Sequence, residues 1–145
     1  MPLAEKKKMK IFQIIAGIFI AVIVVGVLIV GYDFYRRFKR RISQKDIGEI
    51  QDAWKAIIRE PDMRHAIMEA DKLLDLALGK MGFRGNLGNK LKKAHRLFGA
   101  HINRIWSAHK VRNNIAHQMH YKVDEKLFRA TMLAFKEAFK SLRIF

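Results

Sequence analysis

From Ile11 to Tyr32 the sequence reads IFQIIAGIFIAVIVVGVLIVGY, 22 residues in which Gln13 is the only strongly polar side chain and no charge appears before Asp33. At ~1.5 Å of rise per residue, about 20 such residues cross the ~30 Å hydrocarbon core of a bilayer. The run therefore predicts a transmembrane helix at residues 11–32. A cleaved signal peptide fits less well, because its apolar region spans only about 7 to 15 residues and a small-x-small site comes after it. Here Tyr32, Phe34, Tyr35 and a run of arginines come next instead, and Tyr32 and Tyr35 suit the interfacial aromatic belt. Residues 1–10 form a basic tail with Lys6, Lys7, Lys8 and Lys10. Residues 33–46 form a more basic juxtamembrane segment with Arg36, Arg37, Lys39, Arg40, Arg41 and Lys45. That asymmetry predicts a single-pass membrane protein with its C-terminal domain on the cytoplasmic side.

Beyond the anchor, residues 47–145 have room for one domain that folds without disulfides or a structural metal. The chain has no cysteine, which excludes thiolate metal sites and thiol redox chemistry. It carries 29 Lys and Arg against 13 Asp and Glu, a formal net charge of +16. Its partners are therefore expected to be anionic, and both RNA phosphates and the anionic headgroups of membrane lipids satisfy that expectation.

Apolar residues in this region recur with a period near 3.6 and show no strand-like alternation, so the fold class is all-α. Ile47, Ile50, Trp54 and Ile57 share one face of a first helix that Pro61 closes. A second runs from near Asp62 to about Met81, with Ile67, Ala70, Leu74, Ala77 and Met81 as its core stripe. Gly79, Gly82, Gly85 and Gly88, with Lys80, Arg84 and Lys90 among them, read as a connector rather than a phosphate cradle, since no strand precedes them and no Gly-x4-Gly-Lys-Ser/Thr is present. Next come a helix at about Leu87 to Phe98 and a long one at about His101 to His120. Asp124 caps the last, whose stripe is Leu127, Thr131, Ala134, Ala138, Leu142 and Phe145, with Phe135 and Phe139 beside it. Short connections predict an up-and-down bundle of four core helices, with the Ile47–Ile58 helix as a fifth.

Unusual side chains concentrate in Trp106-Ser-Ala-His-Lys-Val-Arg-Asn-Asn-Ile-Ala-His117. On a helical wheel Ala108, Val111, Ile115 and Met119 form the core stripe, and Arg112 falls at its edge. An arginine there needs an anion or carbonyl partner, because guanidinium does not deprotonate. His109, Asn113, His117 and His120 lie on the other side near Trp106, whose outward position suggests a contact surface such as a dimer interface or substrate cleft.

Arg112-Asn-x3-His117 resembles the Arg-x4-His motif of HEPN domains, small helical bundles that carry it on a late helix. The runs from Ala66 to Leu74, from Gly85 to Leu91 and from Trp106 to Asn113 resemble, in that order, a bacterial HEPN-like family; the likeness covers about Asp62 to Leu142. Many HEPN domains are dimeric ribonucleases that need no metal or other cofactor. The resemblance implies His117 as general acid or base at the ribose 2′-hydroxyl and leaving oxygen, Arg112 as stabiliser of the phosphorane-like transition state, and Asn113 as an orienting group. Trp106, His109, Lys110 and His120 would bind the RNA. Histidine's unperturbed pKa of about 6.5 and the forked donors of arginine suit those roles. Two positions depart from the family: Met119 stands where some HEPN toxins carry a modifiable tyrosine, and Gln118 where relatives often have glutamate.

Plainer readings stand beside these. His117 fits a structural histidine in a helix's last turn, and Arg112 fits a bridge to a neighbouring helix's carbonyls or to Glu69 or Asp75. The histidines His109, His117 and His120 do not read as a metal site, since no carboxylate joins them on the helix. Arg112 and His117 are about 140° apart on an ideal helix, so a joint role calls for a distorted turn, a long reach or a second subunit. The sequence thus supports an RNA-binding, metal-independent endoribonuclease, a catalytically silent interaction or nucleotide-binding module that scaffolds a partner at the membrane, and, third, a basic anchor for nucleic acid without catalysis, whose binding would fall steeply with salt. Whether the protein is an enzyme stays open between them.

Overall fold

The computed structural model describes the backbone of residues 2–39 and 41–145, and the side chains of residues 2, 4–32 and 41–145. Two compact units result, Met1–Arg41 and Ile42–Phe145. The first is a single helix, α1 (Leu3–Lys39). It therefore runs past the apolar stretch into both basic flanks, although Arg36, Arg37 and Lys39 lie outside the described side chains and Arg40 outside the described backbone. Over Ala4–Tyr32 its mean hydropathy reaches 3.2 and no part of that window is buried, so it is long and apolar enough to cross a membrane. Phe12, Phe19, Val22 and Val30 stand exposed on it. A helix apolar all round has no use for water on every face.

The second unit is a bundle of five helices: α2 (Gln44–Ile57), α3 (Met63–Lys80), α4 (Leu87–Phe98), α5 (Ile102–His117) and α6 (Glu125–Ser141), with a 3-10 turn at Gly99–His101. Among the described residues there is no strand. Side-chain caps begin four of them: Ser43 accepts from the Asp46 amide, Asp62 from those of Arg64 and His65, Asn86 from Asn89, and Asp124 from Leu127. Each satisfies a backbone donor that the first turn leaves without an intrahelical partner. After α3, Phe83 N–H donates to Leu78 O at 3.0 Å. Gly82, at φ 84°, supplies the left-handed residue that this closure requires.

Helix α3 is the hub, packing against α2, α4, α5 and α6. Its Ile67, Ala70, Leu74, Ala77 and Leu78 are fully buried, and Leu91, Phe98, Ile105, Phe135 and Phe139 close on them from the other helices. Helix α2 is more than an addition to this core. Ile50, Trp54 and Ile57 are buried, the Trp54 ring meets Phe139 edge-on at 5.3 Å between centroids, and Gln51 Nε2 donates to Ile144 O at 2.6 Å. Phe145, expected in the α6 stripe, is 45% exposed. Arg143, at φ 60°, turns the chain just before it.

The glycine-rich segment is a connector. Lys90, one of the cations that suggest a phosphate cradle, is buried and held by Asp75 at 2.9 Å from both its carboxylate and its backbone carbonyl.

Candidate functional site

Helix α5 turns Ile105, Ala108, Val111 and Ile115 into the core. Of the residues between them, His109 and Arg112 reach toward α3, where one side chain breaks the apolar pattern. Asp71 lies between Ala70 and Leu74 on the buried stripe of α3 and is only 4% exposed. A carboxylate there has lost its water and needs partners. Helix α5 supplies two: His109 Nδ1 lies 2.7 Å from Asp71 Oδ1, and Arg112 Nε lies 3.3 Å from Asp71 Oδ2. That Nε–H points off the oxygen and makes no hydrogen bond, so the Arg112 contact acts through charge.

Asn113 closes the set into a ring. Arg112 donates from Nη1 to Asn113 Oδ1 at 3.1 Å, and Asn113 Nδ2 lies 3.3 Å from His109 Nε2. Only one arrangement of hydrogens suits every contact. Asp71 accepts from His109 Nδ1–H, which leaves Nε2 with a lone pair toward Asn113. Trp106 sits one turn earlier with its ring 6.0 Å from the His109 ring, edge to face. Trp106, Ser107, His109, Lys110 and Asn113 line a shallow groove of 380 Å³.

The sequence-based expectations divide here. Trp106, His109, Lys110, Arg112 and Asn113 are brought together. Trp106 is half-buried against the rim of the core rather than turned wholly outward. The partner of Arg112 is Asp71; of the expected acids, Glu69 pairs with Lys72 and Asp75 with Lys90. His117 lies exposed in the last turn of α5, and among the described residues no hydrogen bond or ion pair joins it to Arg112. Helix α5 also stops at His117 instead of His120. Met119, expected in the core stripe, is 86% exposed, and His120 lies beyond the helix on an exposed turn.

The helix breaks at Gln118, whose backbone is extended, and Arg64 on α3 holds that end, donating from Nη1 to Tyr121 O at 2.8 Å and from Nη2 to Ile115 O at 3.4 Å. A guanidinium there satisfies a free carbonyl and suits the negative end of the helix dipole. Arg64 and Asp71 are the two site residues that local reading overlooks. Asp71 has a visible signal, an acid inside an apolar stripe; Arg64 has none.

Charge is also segregated. Residues 76–123, which include α4 and α5, contain ten Lys and Arg and no Asp or Glu. Lys92, Lys93, Arg96 and Lys110 are exposed there. Among the described residues no group of three His, Asp or Glu side chains converges as a metal site would. No family model, curated protein or solved structure matches the chain.

Proposed function

We propose that the chain is a membrane-tethered, HEPN-like helical protein that acts as a homodimer, binds RNA on the α4–α5 side of its domain and cleaves it without a metal ion. The observation that carries this reading is the acid-free stretch from residue 76 to residue 123, whose groove pairs an aromatic ring, Trp106, with a cation, Lys110. Single-stranded nucleic acid is held by that combination, with bases stacked on aromatic faces and phosphates met by cations. Arg112 would stabilise charge on a pentacoordinate phosphate, and His117 would exchange a proton with a ribose or leaving oxygen. Because the 2′-hydroxyl is the nucleophile, cleavage is confined to RNA. In this reading α1 spans the membrane with the domain on the cytoplasmic side, where RNA and anionic lipid both lie, and confinement to two dimensions favours pairing of the domains.

The test uses the full chain in detergent micelles with EDTA, comparing wild type, Arg112→Ala and His117→Ala on RNA and on DNA of the same sequence. Wild type should cut only RNA, and each variant should lose about 100-fold or more in rate, the usual worth of a positioned acid, base or charge. Equal cleavage by all three proteins would sink the assignment. One observation favours a second reading, a catalytically silent scaffold or nucleotide-binding module: the charge of Arg112 is already answered by Asp71. That reading predicts RNA or nucleotide binding by wild type with no cleavage at any protein concentration.

A further inference from the structure

Transesterification of RNA needs two proton transfers, one from the 2′-hydroxyl and one to the leaving 5′-oxygen. The motif alone offers a single histidine for both. We infer that His109 is the second proton-transfer residue, the general base of the site, and that Asp71 is its positioning residue; this rests on the ribonuclease reading above.

The geometry is that of a base oriented by a buried acid. Asp71 fixes the His109 ring at 2.7 Å through Nδ1, which sets the tautomer and leaves Nε2 as the acceptor. The ring is 14% exposed by its side chain and lines the groove beside Trp106 and Lys110. Its Nε2 is held by one long contact, 3.3 Å from Asn113 Nδ2, which a ribose hydroxyl at normal hydrogen-bond distance can replace. Arg112 lies in the same ring of contacts through Asn113, so a phosphate adjoining that ribose meets a cation next to the base.

The step balances without any further reagent. The 2′-oxygen passes its proton to His109 Nε2 and forms a bond to phosphorus, while the bond from phosphorus to the 5′-oxygen breaks. Protonated His117, brought by the second subunit of the proposed dimer because that of the same chain lies outside the groove, gives its proton to that oxygen. The products are a 2′,3′-cyclic phosphate and a 5′-hydroxyl, with His109 protonated and His117 neutral, and solvent restores both.

The experiment uses the full chain in micelles and a short RNA with one scissile linkage. His109→Asn keeps an N–H donor near Asp71 and lacks Nε2; it should lower kcat at least 100-fold while the RNA Kd stays within threefold. His109→Gly is the second variant, in which free imidazole added at millimolar concentration should restore cleavage. A second substrate carries sulfur in place of the leaving 5′-oxygen, a leaving group that needs no protonation. It should rescue His117→Ala and leave His109→Asn slow. Cleavage by His109→Asn at the wild-type rate, no response of His109→Gly to imidazole, or rescue of His109→Asn by the sulfur substrate would each overturn the assignment while the ribonuclease reading stands. Absence of cleavage by wild type would remove that reading, and this one with it.

Discussion

Asp71 is the most deeply buried charged side chain among the described residues, and its two partners decide whether the cost of that burial is met. A carboxylate taken out of water is tolerated when an opposite charge and a hydrogen-bond donor face it together. Here Arg112 and His109 do so from one helix. Asp71→Ala would leave the guanidinium without its anion. Breaking a fully buried pair costs about 3 to 5 kcal/mol, and since the Arg112 side chain keeps 27% of its surface in water, we expect about 2 kcal/mol here. For a domain of this size that is a fall in melting temperature of about 4 to 8 °C per kcal/mol, measurable by circular dichroism. The double variant Asp71→Leu with Arg112→Met removes both charges and should melt above Asp71→Ala. A double variant that melts below the single one would show that the pair itself holds the helices together.

At the level of elements, α2 is fastened to α3 by a charge cluster at its first turn. Lys80 binds Asp46, with Glu49 at 3.7 Å as a second acid. The Lys80 hydrogen bond, then that of Ser43, holds the Asp46 carboxyl below its ordinary range, and the bond to Asp46 raises Lys80 above its own. The signs are opposite and define a window. The Asp46 contribution is present above the unfolded carboxylate value of about 3.9 and is lost as pH falls through the lower folded value. The Lys80 contribution is present below about 10.4 and is lost as pH rises through the higher folded value. The gap in melting temperature between wild type and Lys80→Met should therefore be flat from about pH 5 to 9 and narrow toward both ends. A gap unchanged at pH 3 would mean that Lys80 acts through packing instead. Elements such as these were largely legible in the sequence, because caps and apolar stripes are local signals. Helix α4 opens at Leu87 and α3 just after Asp62, as the pattern expects, and Asp124 caps α6. The C-terminal end of α5 was not. Met119 continues the apolar spacing, whereas the backbone turns extended at Gln118 and Arg64, distant in sequence, takes the carbonyls of Ile115 and Tyr121. The site was legible in part for the same reason: Trp106, His109, Arg112 and Asn113 share one helix, whereas their anchor Asp71 comes from another. Arg143 had no signal at all, since nothing in its neighbours announces a left-handed residue that is not glycine.

For the molecule as a whole, the distribution of charge says more than its total. The Ile42–Phe145 unit has 20 Lys and Arg against 11 Asp and Glu, yet none of those acids falls within residues 76–123. The acids gather on α2, α3, the turn between them and α6, several of them beside their own cations: Asp52 with Lys55, Glu69 with Lys72, Glu125 with Arg129. Cations on α4 and the outer side of α5 have no such local answer in sequence. A polyanion that gathers on this side releases condensed counterions as it binds, so affinity must fall with salt in proportion to the phosphates contacted. If Lys92, Lys93, Arg96 and Lys110 each neutralise one phosphate of a single strand, the slope of log K against log salt is about −3. Reversing Lys92 and Lys93 to Glu removes two of those contacts and should bring the slope near about −1.4. The matching control is Lys136→Glu with Lys140→Glu, exposed positions on α6, which changes net charge by the same amount. Fluorescence anisotropy of a labelled RNA, read across roughly 50 to 300 mM salt with the full chain in micelles, separates the two. Equal slopes for both pairs of reversals would mean that binding responds to total charge and that the α4–α5 side has no special part in it.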